Sequence, residues 1–151
     1  MSEKFPEEGG DPEYWIGYLL SGSGDYEAAK KSFIGVKPES PLYLNALYHI
    51  VNSDYLAFNE KEEDTQTKEE REALIVRFNE VVTKVTKVES KPDNIDDKTW
   101  KIYEGRKSDV FYSCIGKVAK LYYKVEDFAN AKVINKRMIK YNFLVMVSFF
   151  N

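Results

Sequence analysis

Residues 96–124 read DDKTWKIYEGRKSDVFYSCIGKVAKLYYK, and this stretch decides the fold class. Trp100, Tyr103, Lys107, Phe111, Cys114, Ile115, Val118 and Tyr122 recur at intervals of three and four residues, the spacing of one face of a 3.6-residue helix. Asp96 or Asp97 is suited to cap its start. Immediately upstream, Ser90 to Asp96 with Pro92 reads as a loop. Before that loop Leu74, Phe78, Val81, Val82 and Val85 form a second stripe, with Thr67 as its cap and Glu69 and Glu70 in the first turn. The β-branched residues ending that stripe leave a strand there as the alternative. An acidic linker, Asn59 to Gln66, separates it from a helix expected to open at Ser40-Pro41 and to run to about Phe58. Tyr43, Ala46, Leu47, Ile50 and Val51 supply the apolar face of that helix.

Two shorter helices complete the N-terminal part. One spans about Pro12 to Ser21, capped by Asp11 and ended by Ser21-Gly22-Ser23-Gly24; the other starts at the cap Asp25 and ends at Gly35 and Pro38. At the other end a last helix is expected over roughly Asp127 to Asn142. Alternating runs are confined to the last ten residues, so the predicted fold is all-α.

Composition narrows the function. A chain of 151 residues with 43% hydrophobic and 31% charged residues matches one globular domain able to bury a core of its own. Lys and Arg number 22 against 25 Asp and Glu, without the basic excess of a domain built to neutralise phosphates. One Cys and one His exclude a disulfide framework and a classical zinc site, and no cofactor is expected. Met1 to Glu13 lacks the basic start and apolar run of a signal peptide, so a cytoplasmic protein is expected, with no membrane partner.

Two helix–turn–helix joints are alike: Gly24-Asp25-Tyr26-Glu27-Ala28-Ala29, and Glu126-Asp127-Phe128-Ala129-Asn130-Ala131. Each sets an acidic residue, an aromatic, and an Ala three residues further on. Ile115, Val118-Ala119 and Tyr122-Tyr123-Lys124 precede the second joint; Ile16-Gly17 and Leu20 precede the first, followed by Phe33 and Pro41. In these residues the chain resembles the tetratricopeptide repeat family. The likeness is good over about a third of the chain and loose between the joints. It implies antiparallel helix hairpins stacked as a short α-solenoid, with residues 12–142 a single helical-repeat domain of about three helix pairs; residues 1–11, polar and acidic with Pro6, Gly9 and Gly10, read as a disordered lead. Residues 143–151 are then an apolar capping tail, or else a surface through which copies associate into a homo-oligomer. At eight residues, Phe143 to Phe150 is too short to cross a bilayer as a helix.

Individual residues suggest structure more than chemistry. His49 stands on an apolar helix with no second His to share a metal. Cys114 falls on the core stripe, the wrong setting for a reactive thiol. Glu62-Glu63-Asp64, Glu69-Glu70 and Asp96-Asp97 lie in linkers and first turns, and no phosphate-binding loop, nucleophile elbow or zinc-binding helix motif occurs. A non-enzymatic interaction or scaffold domain is therefore expected. Its concave face, made by the first helix of each pair, would hold a peptide or partner protein through Tyr14, Tyr18, Asn45, His49, Tyr112, Lys117 and Lys120. Of the five positions with which some members of the family clamp a terminal carboxylate, only Asn45 matches, with Lys117 a conservative exchange, so that ligand is not expected. The alternative is an RNA-associated helical-repeat protein. It would use Lys98, Lys101, Arg106 and Lys107 with Trp100 and Tyr103, and Lys132, Lys136, Arg137 and Lys140 with Tyr141.

Overall fold

The computed structural model describes residues 11–124, 130 and 132–140. The expected N-terminal lead up to residue 10, most of the second joint and the apolar tail lie outside them. Five helices run in order: α1 (Pro12–Gly22), α2 (Tyr26–Ile34), α3 (Tyr43–Glu60), α4 (Lys68–Thr86) and α5 (Asp97–Lys124). Residues 132–140 are helical again (α6), and no strand occurs among the described residues.

The helix starts follow from local hydrogen bonding. Asp25 caps α2 by accepting from the Ala28 amide at 3.2 Å. Just before it, Gly24 takes a φ of 88°, a conformation open to glycine at little cost. Thr67 and Glu70 form a reciprocal capping box at the start of α4, which satisfies two amides that the helix itself cannot. At the start of α5 the Asp96 carboxylate accepts from the Thr99 amide at 2.6 Å. Asp11 precedes α1 as expected, but its side chain makes no capping hydrogen bond, and Pro12 alone marks the start.

Helix α3 begins later than Ser40-Pro41. The Ser40 hydroxyl accepts from the Leu42 amide at 3.1 Å and the Ser40 carbonyl from the Tyr43 amide at 3.1 Å. This turn drives Leu42 fully into the core. Helix α3 also runs past Phe58 into the acidic linker, which then folds as a 3-10 turn, Glu63–Thr65. Gln66 pins that linker by donating to the Phe58 and Lys61 carbonyls at 3.1 and 3.0 Å. The strand alternative at the end of α4 does not occur, because Val81, Val82 and Val85 all bury on one helical face.

From α1 to α5 each helix packs against the next, and α3 also touches α1 on one side and α5 on the other. Two cores result. The larger joins α3, α4 and α5 through residues such as Val51, Phe58, Phe78, Val82, Phe111, Cys114, Ile115 and Val118. The smaller joins α1, α2 and α3 through Tyr14, Ala29, Phe33, Val36, Leu42 and Ala46. Within it a Cβ on Gly17 would stand 2.9 Å from the Phe33 ring, so the glycine is what lets α1 and α2 close up. Asp54 ties α2 and α4 to α3, with Lys30 Nζ at 2.7 Å and Arg77 Nη1 at 2.7 Å. Burial alone would raise the Asp54 carboxyl, but its two cationic partners hold it below the ordinary carboxylate value.

Candidate binding face

The α3 sequence turns three kinds of residue in three directions. His49 points toward α1 and α2, and its ring stacks on Phe33 of α2 at 5.0 Å and 12°. The Tyr14, Tyr18 and Tyr48 rings meet it edge-on at 5.6, 5.9 and 5.0 Å. Burial in this aromatic nest pushes the imidazole down to about 4, so it is neutral at physiological pH. Tyr48 and Tyr55 point toward the larger core, each about 6.0 Å from the Phe78 ring. At 100° per residue, Asn45 and Asn52 fall on the strip between these two directions. The side-chain oxygens of both are buried, with no hydrogen-bond partner in the protein.

Helix α5 borders the strip with positive charge. Lys117 Nζ lies 4.7 Å from the centre of the Tyr55 ring. Burial, with Lys120 nearby, holds its ammonium below the ordinary lysine value. Arg106, eleven residues and so about three turns earlier on the same face, acts electrostatically on Tyr14 across the strip. Burial pushes the Tyr14 phenol up to about 12, and Arg106 works against that rise. The strip thus combines ring edges on one side, two unpaired carboxamide oxygens in the middle and cations on the other.

Of the residues expected to meet a partner, Tyr18 and His49 meet ring to ring, Asn45 lies one turn before His49 on α3, and Lys117 stands further along, over Tyr55. Tyr18 is 53% exposed and offers its ring to solvent, whereas Tyr14 at 5% lies beneath the face as part of the smaller core. Lys120 is exposed beside Lys117. Tyr112 is turned away from them: it packs beside Phe111 against the larger core, about 140° around α5 from Lys117. The sequence reading did not single out Asn52 or Tyr48, and it set Arg106 with the RNA alternative rather than beside Lys117. The seven-residue spacing of Asn45 and Asn52, and the eleven-residue spacing of Arg106 and Lys117, are the signals that place Asn52 and Arg106 on these faces.

Other expectations also find their place. Cys114 is completely buried, and burial pushes its thiol up to about 12, which leaves it unreactive at neutral pH. Lys107 from the first basic cluster is turned inward, with Nζ 3.1 Å from Glu104 and 3.3 Å from the Lys87 carbonyl. Lys132, Lys136, Arg137 and Lys140 are exposed along α6. A cleft of about 320 Å³ between α3 and α4 has Phe58 and Leu74 among its lining residues. Its charged residues are already joined as the pairs Asp54–Arg77 and Lys61–Glu70. Among the described residues no group of His, Cys, Asp and Glu is placed to hold a metal ion, and no helix is long and apolar enough to cross a membrane.

Compared with protein-family models, curated proteins and solved structures, the chain matches none.

Proposed function

We propose that the chain is a non-enzymatic interaction domain whose helix pairs stack as a short tetratricopeptide-like solenoid. Helices α1, α3 and α5 line its recognition face, and the ligand is an extended acidic segment of a partner protein. The observation that carries this reading is the pair of buried, unpaired carboxamide oxygens at Asn45 and Asn52. A buried acceptor without a donor is costly in the free protein, and peptide N–H groups are the donors that would satisfy it. The two residues are separated by two helical turns, about 10 Å, which is about three residues of an extended chain. The cations Arg106 and Lys117 set the preferred charge, and the exposed ring of Tyr18 offers a flat apolar contact.

Selection from a displayed random-peptide library, followed by titration of the enriched sequences, tests this. Acidic extended peptides should enrich, and Asn52→Leu and Lys117→Glu should each weaken them by about tenfold or more. The reading fails if no peptide enriches, or if affinities are unchanged in both variants. Steeply salt-dependent binding of a generic single-stranded RNA, with no peptide enriched, would replace it with the RNA reading.

A further inference from the structure

Away from the recognition face, three segments enclose a small cleft of about 110 Å³. Pro38, Glu39 and Pro41 come from the α2–α3 connection, Glu89 and Pro92 from the α4–α5 connection, and Trp100 and Tyr103 from the first turns of α5. We propose that this cleft binds an alkylated ammonium group, the head of a choline-like molecule or of a methylated lysine.

The walls suit that chemistry. The Trp100 and Tyr103 rings stack on each other, 21° apart with centroids at 5.1 Å, so each keeps one face that the other ring does not cover, and aromatic faces attract cations. Glu39 and Glu89 are the charged residues lining the cleft, and no Lys or Arg lines it. Tyr103 donates its hydroxyl to Glu89 at 3.3 Å, fixing ring and carboxylate relative to each other. Burial, with Glu89 second, pushes this phenol up to about 12, so it stays protonated and keeps donating. Three prolines restrict the backbone of the walls. The space is too small for a drug-sized ligand and is on the scale of one head group. The same rings already attract a cation of the chain itself: Lys107 Nζ lies 5.9 Å from the Trp100 centroid and 5.4 Å from that of Tyr103. Lys107 is buried and does not line the cleft, and its charge is paired with Glu104 at 3.1 Å. An alkylated ammonium is favoured over a bare one because it sheds little hydrogen bonding on leaving water, while its charge still meets the π faces and the carboxylates.

The chain has two tryptophans, so Trp15→Phe leaves Trp100 as the sole fluorescent reporter, and the Trp100 indole N–H resonance reports in the unaltered chain. Choline should change both signals saturably, with a Kd on the order of 1 mM. Its neutral isostere 3,3-dimethylbutan-1-ol should bind at least about tenfold more weakly, and the Glu39→Gln/Glu89→Gln double variant should lose choline binding by a similar factor without a change in melting temperature. A trimethyllysine peptide that binds about tenfold tighter than choline assigns the site to modified protein, and equal affinity assigns it to the free ammonium. Absence of a saturable response to either cation, or an equal response to the neutral isostere, overturns the proposal.

Discussion

The two cores are built differently. The larger one, between α3, α4 and α5, is rich in valine, leucine, isoleucine and phenylalanine and is closed, with Phe78, Cys114, Ile115 and Val118 wholly removed from solvent. The smaller one, between α1, α2 and α3, is aromatic and open along one side: Tyr14 and Phe33 are buried, His49 is partly buried among rings, and Tyr18 stands half in water. Packing dominated by aliphatic and phenylalanine side chains gives stability and little to recognise. Rings with polar edges, next to unpaired amides, give a surface that a partner can complete. The difference places the closed aliphatic packing in one half and the exposed rings, on which the proposed recognition draws, in the other.

The sharpest way to break that division is Phe78→Ala. It removes a fully buried ring that touches Tyr48 and Tyr55, and a loss of about 3–5 kcal/mol is expected from chemical denaturation. A loss below about 1 kcal/mol would mean that the larger core does not hold the fold. In the smaller core Gly17→Ala tests close packing. The added methyl would meet the Phe33 ring, and overpacking should lower stability by about 1–3 kcal/mol; an unchanged denaturation midpoint would show that α1 sits loosely.

Acid should act on the smaller core selectively. His49 is held near 4 by burial, against an ordinary value of 6.5. The unfolded chain therefore takes up the proton first, and the contribution of His49 is complete above about pH 6.5 and is lost as the pH falls toward 4. Other groups titrate in the same range, so the readout is a comparison with His49→Phe, which keeps an aromatic ring and removes the titration. Between pH 7 and 4 the native chain should lose about 1–2 kcal/mol more than this variant, allowing for the imidazole's partial exposure. Equal pH profiles would place the ring in water. The smallest of these losses is expected at the α4 cap. Thr67→Ala removes the acceptor for the Glu70 amide at 3.1 Å and should lower stability by about 1 kcal/mol, without any effect on the recognition face.

How much of this was legible in the sequence depended on how local the cause was. The α4 stripe and its Thr67 cap, the Asp25 cap and the α5 face from Tyr103 to Val118 are written in three- and four-residue spacing, and the structure follows them. The α3 start was misplaced because Ser40 bonds forward to Leu42 rather than opening the helix, a choice settled by the burial of Leu42. Site residues were harder to read. Tyr18, Asn45, His49 and Lys117 could be singled out because each stands beside a core stripe. Tyr14 went under the face and Tyr112 away from it, because facing depends on which neighbouring helix a ring meets. Asn52 was overlooked because a polar residue at one position of an apolar helix carries no mark of whether a hydrogen-bond partner awaits it.

Asn52 also provides the most direct test. If its buried oxygen is unpaired because the site is built for a partner, then Asn52→Leu, which replaces the amide by an apolar group of similar size, removes a liability of the free protein. Thermal denaturation of the unliganded variant should show a melting temperature equal to that of the native chain or higher, with a gain of up to about 2 kcal/mol. A fall of several degrees, comparable to the loss expected for Gly17→Ala, would make Asn52 a structural residue and contradict the assignment of recognition to this face.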